Sequence, residues 1–176
     1  TGDWKWDADP QVGPAYEEAS FRKLAELNID ALVCDSTCAT VEGRSPSEGA
    51  LLPGIRDVVR QATGRVVATC FGSNIARLQT LARVAADEGR YLSLFGRSLI
   101  NNYRAAVAAG YWDPALTFIE PTHAGYLPPD EVMVIATGSQ GDARAALTRL
   151  ATGTHPHMEL SAGDTVMFSS REIPGK

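Results

Sequence analysis

The sequence predicts an α/β domain: three layers, with a mostly parallel sheet of about five strands and helices on both faces. Short β-rich runs alternate with longer helical patterns, as consecutive βα units require. The runs are almost continuously apolar, which suits strands covered on both sides. A glycine closes nearly every helical pattern, where a left-handed C-terminal residue belongs. At 176 residues, 44% hydrophobic and 21% charged, the chain has the length and apolar content of one folded domain.

Taken in order, Tyr16 to Leu27 reads as a first helix and Ala31 to Ser36 as a first strand. The next helix, Pro46 to Ala62, carries a start signal: Ser45 as N-cap, Pro46 at the first helical position and Glu48 where a capping box places its carboxylate. Strand Arg65 to Cys70 follows, then helix Asn74 to Glu88, in which Ile75, Leu78, Leu81, Ala82 and Ala85 form one apolar stripe. Strand Tyr91 to Phe95 leads to helix Leu99 to Ala109, and strand Glu131 to Thr137 to helix Asp142 to Ala151; Asp164 to Ser169 is the last strand. Gly64, Gly89, Gly110 and Gly153 are the expected C-terminal glycines. Two segments break the rhythm. Trp112 to Asp130 holds four prolines and reads as a long connection with one short strand at Thr117 to Glu120, and the first fourteen residues set Trp4 and Trp6 in no helical pattern.

Composition narrows the function. Sixteen basic against twenty-one acidic residues give a net charge of −5, so no global positive field attracts a polyanion and any nucleic-acid contact must be local. No apolar run exceeds five residues, far short of a membrane span, and the N-terminus lacks a signal pattern; a cytoplasmic protein without membrane contact is expected. Cys34, Cys38 and Cys70 lack disulfide or zinc-knuckle spacing and read as small core residues. His155-Pro156-His157 imitates a metal pair without a third ligand nearby and reads as a surface loop.

Chemistry in an open parallel sheet gathers beyond the carboxyl ends of its strands, where helix N-termini converge. The five ends here are Asp35-Ser36-Thr37, Phe71-Gly72-Ser73-Asn74, Gly96-Arg97-Ser98, Thr137-Gly138-Ser139-Gln140-Gly141 and Ser169-Ser170-Arg171. All are small and polar. Ser73, Asn74, Arg97, Ser139, Ser169, Ser170 and Arg171 are therefore candidate phosphate-binding residues, since hydroxyls, amides and glycine backbones suit phosphate oxygens without net charge. The same residue types also serve as ordinary caps and turns. Neither GxxxxGK[ST] nor GxGxxG occurs, which disfavours a nucleotide-triphosphate or dinucleotide enzyme. Phe71 and Tyr103 could stack on bases, although Phe71 reads better as core. Asp3 and Asp35 are carboxylates that turns leave accessible.

Several motifs in register carry a resemblance. Thr1-Gly2-Asp3-Trp4-Lys5; Asp35-Ser36-Thr37 with Glu42-Gly43-Arg44-Ser45-Pro46-Ser47-Glu48; Phe71 through Arg77; Thr137 through Gly141; and Phe168 through Gly175 resemble, in order and spacing, bacterial ribonuclease J, of the β-CASP branch of the metallo-β-lactamase superfamily. The resemblance implies a β-CASP domain of Rossmann or flavodoxin-like build inserted in a lactamase-fold domain of the same parent chain, with RNA threading between the two. It implies a nuclease with two zinc ions, exonuclease and endonuclease activity in RNA processing, and a homo-oligomeric parent. Asp3 matches the metal-bridging aspartate, and Asp35 the acidic catalytic residue at the active-site edge. Residues 1–38 would then be a remnant of the lactamase core and 39–176 the β-CASP domain. The family's histidine ligands would lie before Thr1 and after Lys176, so the chain alone is expected to hold no zinc and to be inactive. Cys38 and Lys176 stand where the family usually has asparagine. Two alternatives remain: a non-catalytic α/β module binding a small phosphorylated ligand, and a β-CASP hydrolase acting on DNA or another substrate.

Overall fold

The structure is a computed structural model that describes residues 4–170. Its centre is a sheet of four parallel strands: β1 (Val66–Thr69), β2 (Tyr91–Phe95), β3 (Val132–Ala136) and β4 (Thr165–Phe168), in the order β2-β3-β1-β4. Val66 lies opposite Met133 on one side and Thr165 on the other, and Tyr91 lies opposite Val132. The helices are α1 (Glu18–Arg22), α2 (Leu52–Gln61), α3 (Ile75–Asp87), α4 (Arg97–Ala108), α5 (Pro121–Ala124) and α6 (Ala146–Ala151).

Alternation along the strands sorts the apolar side chains into two cores. Val66, Ala68, Leu92, Leu94, Met133 and Ile135 meet Ile55 and Val59 of α2, Leu78, Leu81 and Val84 of α3, and Leu99 and Ala106 of α4. On the opposite face Val67, Phe95, Val132, Val134 and Ala136 meet Ala124 of α5, Ala146 and Leu150 of α6, and Met158. The expected three layers are present, and the predicted stripe on α3 is buried at Leu78, Leu81, Ala82 and Ala85. Gly89, Gly110 and Gly153 take the left-handed conformation just past α3, α4 and α6. Gly64 does not; it is small because the Gly163 carbonyl would lie 2.6 Å from an added Cβ.

The sheet has four strands rather than five. The run 31–36 forms no strand, because its apolar side chains enter neither core: Leu32 is 69% and Val33 80% exposed, and an apolar run without burial does not hold a strand. The first predicted helix shrinks to α1 and a 3-10 turn at Lys23–Glu26, with no buried residue in either. The short strand expected at Thr117 to Glu120 is a single parallel bridge between Ser93 and Ile119. Ser45, Pro46 and Glu48 make no capping box: α2 starts at Leu52, after a 3-10 turn, and Glu48 is used elsewhere. Tyr103 packs edge-on against Trp112 and Phe118 and is not a stacking surface. Cys34 and Cys38 are exposed; only Cys70 is a core residue, and burial pushes its thiol up to about 12. His155 is half-buried, stacked on Phe95 with ring centroids 4.5 Å apart, and burial lowers its pKa, so that segment is packed rather than a bare surface loop.

Candidate functional site

Strands β1 and β3 are neighbours that send their chains to opposite faces. From β1 the chain enters α3, which packs in the first core; from β3 it reaches α6, in the second. Such divergence opens a crevice beyond the strand ends. Its β1 side is Phe71-Gly72-Ser73-Asn74. The Asn74 side-chain oxygen accepts the Arg77 amide at 3.0 Å, capping α3, and Ser73 is exposed. Phe71 is 46% exposed, not core, because the chain turns before the ring reaches either apolar layer.

The β3 side is Thr137 to Gly141. Thr137 donates its amide to the Phe95 carbonyl at 3.0 Å, and its hydroxyl accepts the Ala146 amide at 3.1 Å, so it joins the ends of β2 and β3 to the start of α6. Ser139 and Gln140 are half-buried in the following turn. From the end of β2, Gly96 leads into α4, leaving Arg97 and Ser98 exposed; Arg97 has no ion-pair partner among the described residues. Gly72 faces Ser98 and Asn102 of α4 at 3.5–3.6 Å from the place of a Cβ, so these loops line one rim.

At the end of β4, Ser169 donates its amide to Thr69 at 2.8 Å, while its carbonyl and hydroxyl accept from Arg77 Nη1 at 2.7 and 2.8 Å. The other edge of that guanidinium grips Glu48. The Glu48 amide donates to Asp7 Oδ2 at 2.8 Å, and the Ser47 hydroxyl to Asp7 Oδ1 at 2.5 Å. Chiefly through the Ser47 hydrogen bond, with the Glu48 and Asp9 amides and Lys5 adding to it, the Asp7 carboxyl is lowered to about 2 against the cost of burial. Sequence reasoning missed Asp7 and Arg77 and gave Glu48 a capping role instead. The signal available was Arg77 itself, a charge in the first turn of α3, three residues past its cap; the fate of Glu48 depends on a partner 29 residues away.

Asp35 lies apart from the rim. Its Oδ1 accepts the Thr37 hydroxyl at 2.6 Å and amide at 3.0 Å, which holds the carboxyl below its ordinary range, and its carbonyl accepts from Trp4 Nε1 at 3.0 Å. It borders a cleft of about 680 Å³ with Trp4, Trp6, Thr37, Arg44 and Ser47. Ser73, Asn74, Arg97 and Ser139 thus share the crevice, Ser169 and Ser170 close its β4 side, and Asp35 belongs to the second cleft. Asp3 and Arg171 lie outside the described residues.

Against known proteins, residues 63–176 match the family model "Ribonuclease J, beta-CASP domain". The chain belongs to the ribonuclease J family. It is 43% identical to ribonuclease J of Sinorhizobium meliloti over 175 residues, 38% to that of Mycobacterium tuberculosis over 176, and 35% to ribonuclease J2 of Bacillus subtilis over 178. Each match covers 99–100% of this chain but only 31–32% of the relative, so the chain spans about a third of those relatives' length. Within this ribonuclease J segment no three His, Cys, Asp or Glu side chains converge among the described residues. A two-zinc centre needs several such donors, so the described residues do not fit one and no chemical step is assigned to a metal here. Nor is any described helix long and apolar enough to cross a membrane.

Proposed function

We propose that this chain is the RNA-holding β-CASP wall of a ribonuclease J-type phosphodiesterase of the cytoplasm. The observation that carries the reading is the crevice between the ends of β1 and β3, lined by exposed or half-exposed hydroxyls and amides with Arg97 beside them, in a chain whose net charge is −5. A rim of this kind recognises phosphate by directed hydrogen bonds rather than by a broad positive field. Ser73, Ser139 and Ser170 offer their O–H groups to RNA phosphate oxygens, Asn74 offers the amide hydrogens that its cap leaves over, and Arg97 supplies the charge. Asp35, an acceptor in the second cleft, is the acidic group among the described residues assigned to the reacting end. Hydrolysis itself belongs to residues outside this chain together with Asp3, in a lactamase-fold domain of the same polypeptide. The exposed Trp4, Trp6, Phe21 and Leu27 support such a partner surface.

The test is binding of a 5′-phosphorylated, nuclease-resistant single-stranded RNA to the full-length enzyme. Ser73→Ala and Ser139→Ala should each weaken it about three- to tenfold, the worth of one hydrogen bond. Arg97→Ala should weaken it further and make its salt dependence shallower by about 0.7 in slope. Wild-type affinity in all three variants would make the rim purely structural.

A further inference from the structure

Ser169 is held unusually completely. Its amide is spent on Thr69, its carbonyl and hydroxyl oxygens both accept from Arg77 Nη1, and no group among the described residues accepts its hydroxyl proton. A serine hydroxyl has one proton to give and two lone pairs, and ordinarily rotates to suit its surroundings. Here a guanidinium fixed on the acceptor side narrows that freedom, turning the proton away from Arg77 and leaving it for a group outside. The guanidinium is itself fixed, with 13% of its side chain exposed and both Nε and Nη2 on the 8%-exposed carboxylate of Glu48, which cancels its charge.

We propose that Arg77 is a positioning residue for the RNA-binding rim: it turns Ser169 into a one-way donor aimed at a substrate phosphate oxygen, without touching the phosphate itself. The proposal rests on the rim reading above and adds a residue that acts only through another. A neutralised guanidinium attracts no polyanion from a distance, but behind a hydroxyl it polarises the O–H and strengthens the bond that hydroxyl donates. The planar fork is what allows one side chain to grip a carboxylate with one edge and a carbonyl–hydroxyl pair with the other. Lysine keeps the charge but cannot serve both edges. Through Glu48 and Ser47 the same hub reaches Asp7 and the wall of the Asp35 cleft, so the two halves of the surface are held in one register.

The experiment is a double-mutant cycle on the full-length enzyme, reading affinity for a nuclease-resistant 5′-phosphorylated RNA at several salt concentrations. Ser169→Ala and Arg77→Lys should each weaken binding about three- to tenfold, and the double variant should be no more than about twofold weaker than either, because both remove the same hydrogen bond. Arg77→Lys should leave the salt slope unchanged. If Arg77→Lys fails to fold, Glu48→Gln frees the other edge of the guanidinium and should show the same non-additivity with Ser169→Ala. Multiplying losses, or a shallower salt slope in Arg77→Lys, would overturn the proposal. So would wild-type affinity in Ser169→Ala while Ser73→Ala is impaired; wild-type affinity in Ser73→Ala and Ser139→Ala as well would instead remove the rim reading itself.

Discussion

Replacing Gly96 by alanine tests how tightly the ends of β2 and β3 are joined. Gly96 has φ +135°, a region closed to side chains with a Cβ, and an added Cβ would lie 2.4 Å from Thr137 Cγ2 and 2.7 Å from its Oγ1. The backbone strain alone costs about 1–3 kcal/mol. Relieving the clash requires Thr137 to move, which endangers the hydrogen bond its hydroxyl accepts from the Ala146 amide at the start of α6, worth about 1 kcal/mol. The sum is a loss of about 2–4 kcal/mol. Urea unfolding followed by circular dichroism would read it as a lower midpoint at unchanged slope. Adding Thr137→Ser removes the nearer methyl but keeps the hydroxyl 2.7 Å away, so the double variant should recover only part of the clash component and retain the φ penalty. A Gly96→Ala variant within about 0.5 kcal/mol of wild type, the ordinary range for a surface change, would refute this account of the β2–β3 junction.

Two further outcomes are expected. Asp7 carries a carboxyl lowered from 3.8 to about 2, so its anchoring of Ser47 and Glu48 is fully present above pH 3.8 and is lost as the pH falls through about 2. The stability gap between wild type and Asp7→Asn should therefore be constant from pH 7 to pH 5 and close below pH 4; a gap that widens on acidification would contradict the assignment. Thiol labelling should modify Cys34 and Cys38 rapidly in the native protein and reach Cys70 only on unfolding, because that thiol is buried with a pKa pushed up to about 12. Equal labelling of all three would show the β1 end to be open.

How much was legible from the sequence follows from the range of the forces involved. Four strands and the helices between them could be read because apolar runs, periodicity and terminal glycines act within a few residues. Val132–Ala136 cannot be anything but buried, and Asn74 caps α3 through an amide three positions away. The polar strand ends that make the crevice were legible for the same reason, since they are the residues immediately beyond those strands.

What only the tertiary structure decided were the features whose partners lie far along the chain. The order β2-β3-β1-β4 is set by pairings such as Thr69 with Phe168. Ala31 to Ser36 has the composition of a strand and is none, since strand structure is fixed by the surfaces that bury it rather than by local preference. Glu48 has the spacing of a capping box, but the Arg77 guanidinium offers its carboxylate two hydrogen bonds in a buried site where an exposed helix terminus offers one. Phe71 and Tyr103 exchanged expectations because a ring's surroundings depend on which layer covers it: Trp112 and Phe118 cover Tyr103, and the early turn after β1 leaves Phe71 at the surface. Local propensity thus determined which segments are regular and which are polar, while burial and long-range pairing determined which of those polar groups remain free to meet a ligand.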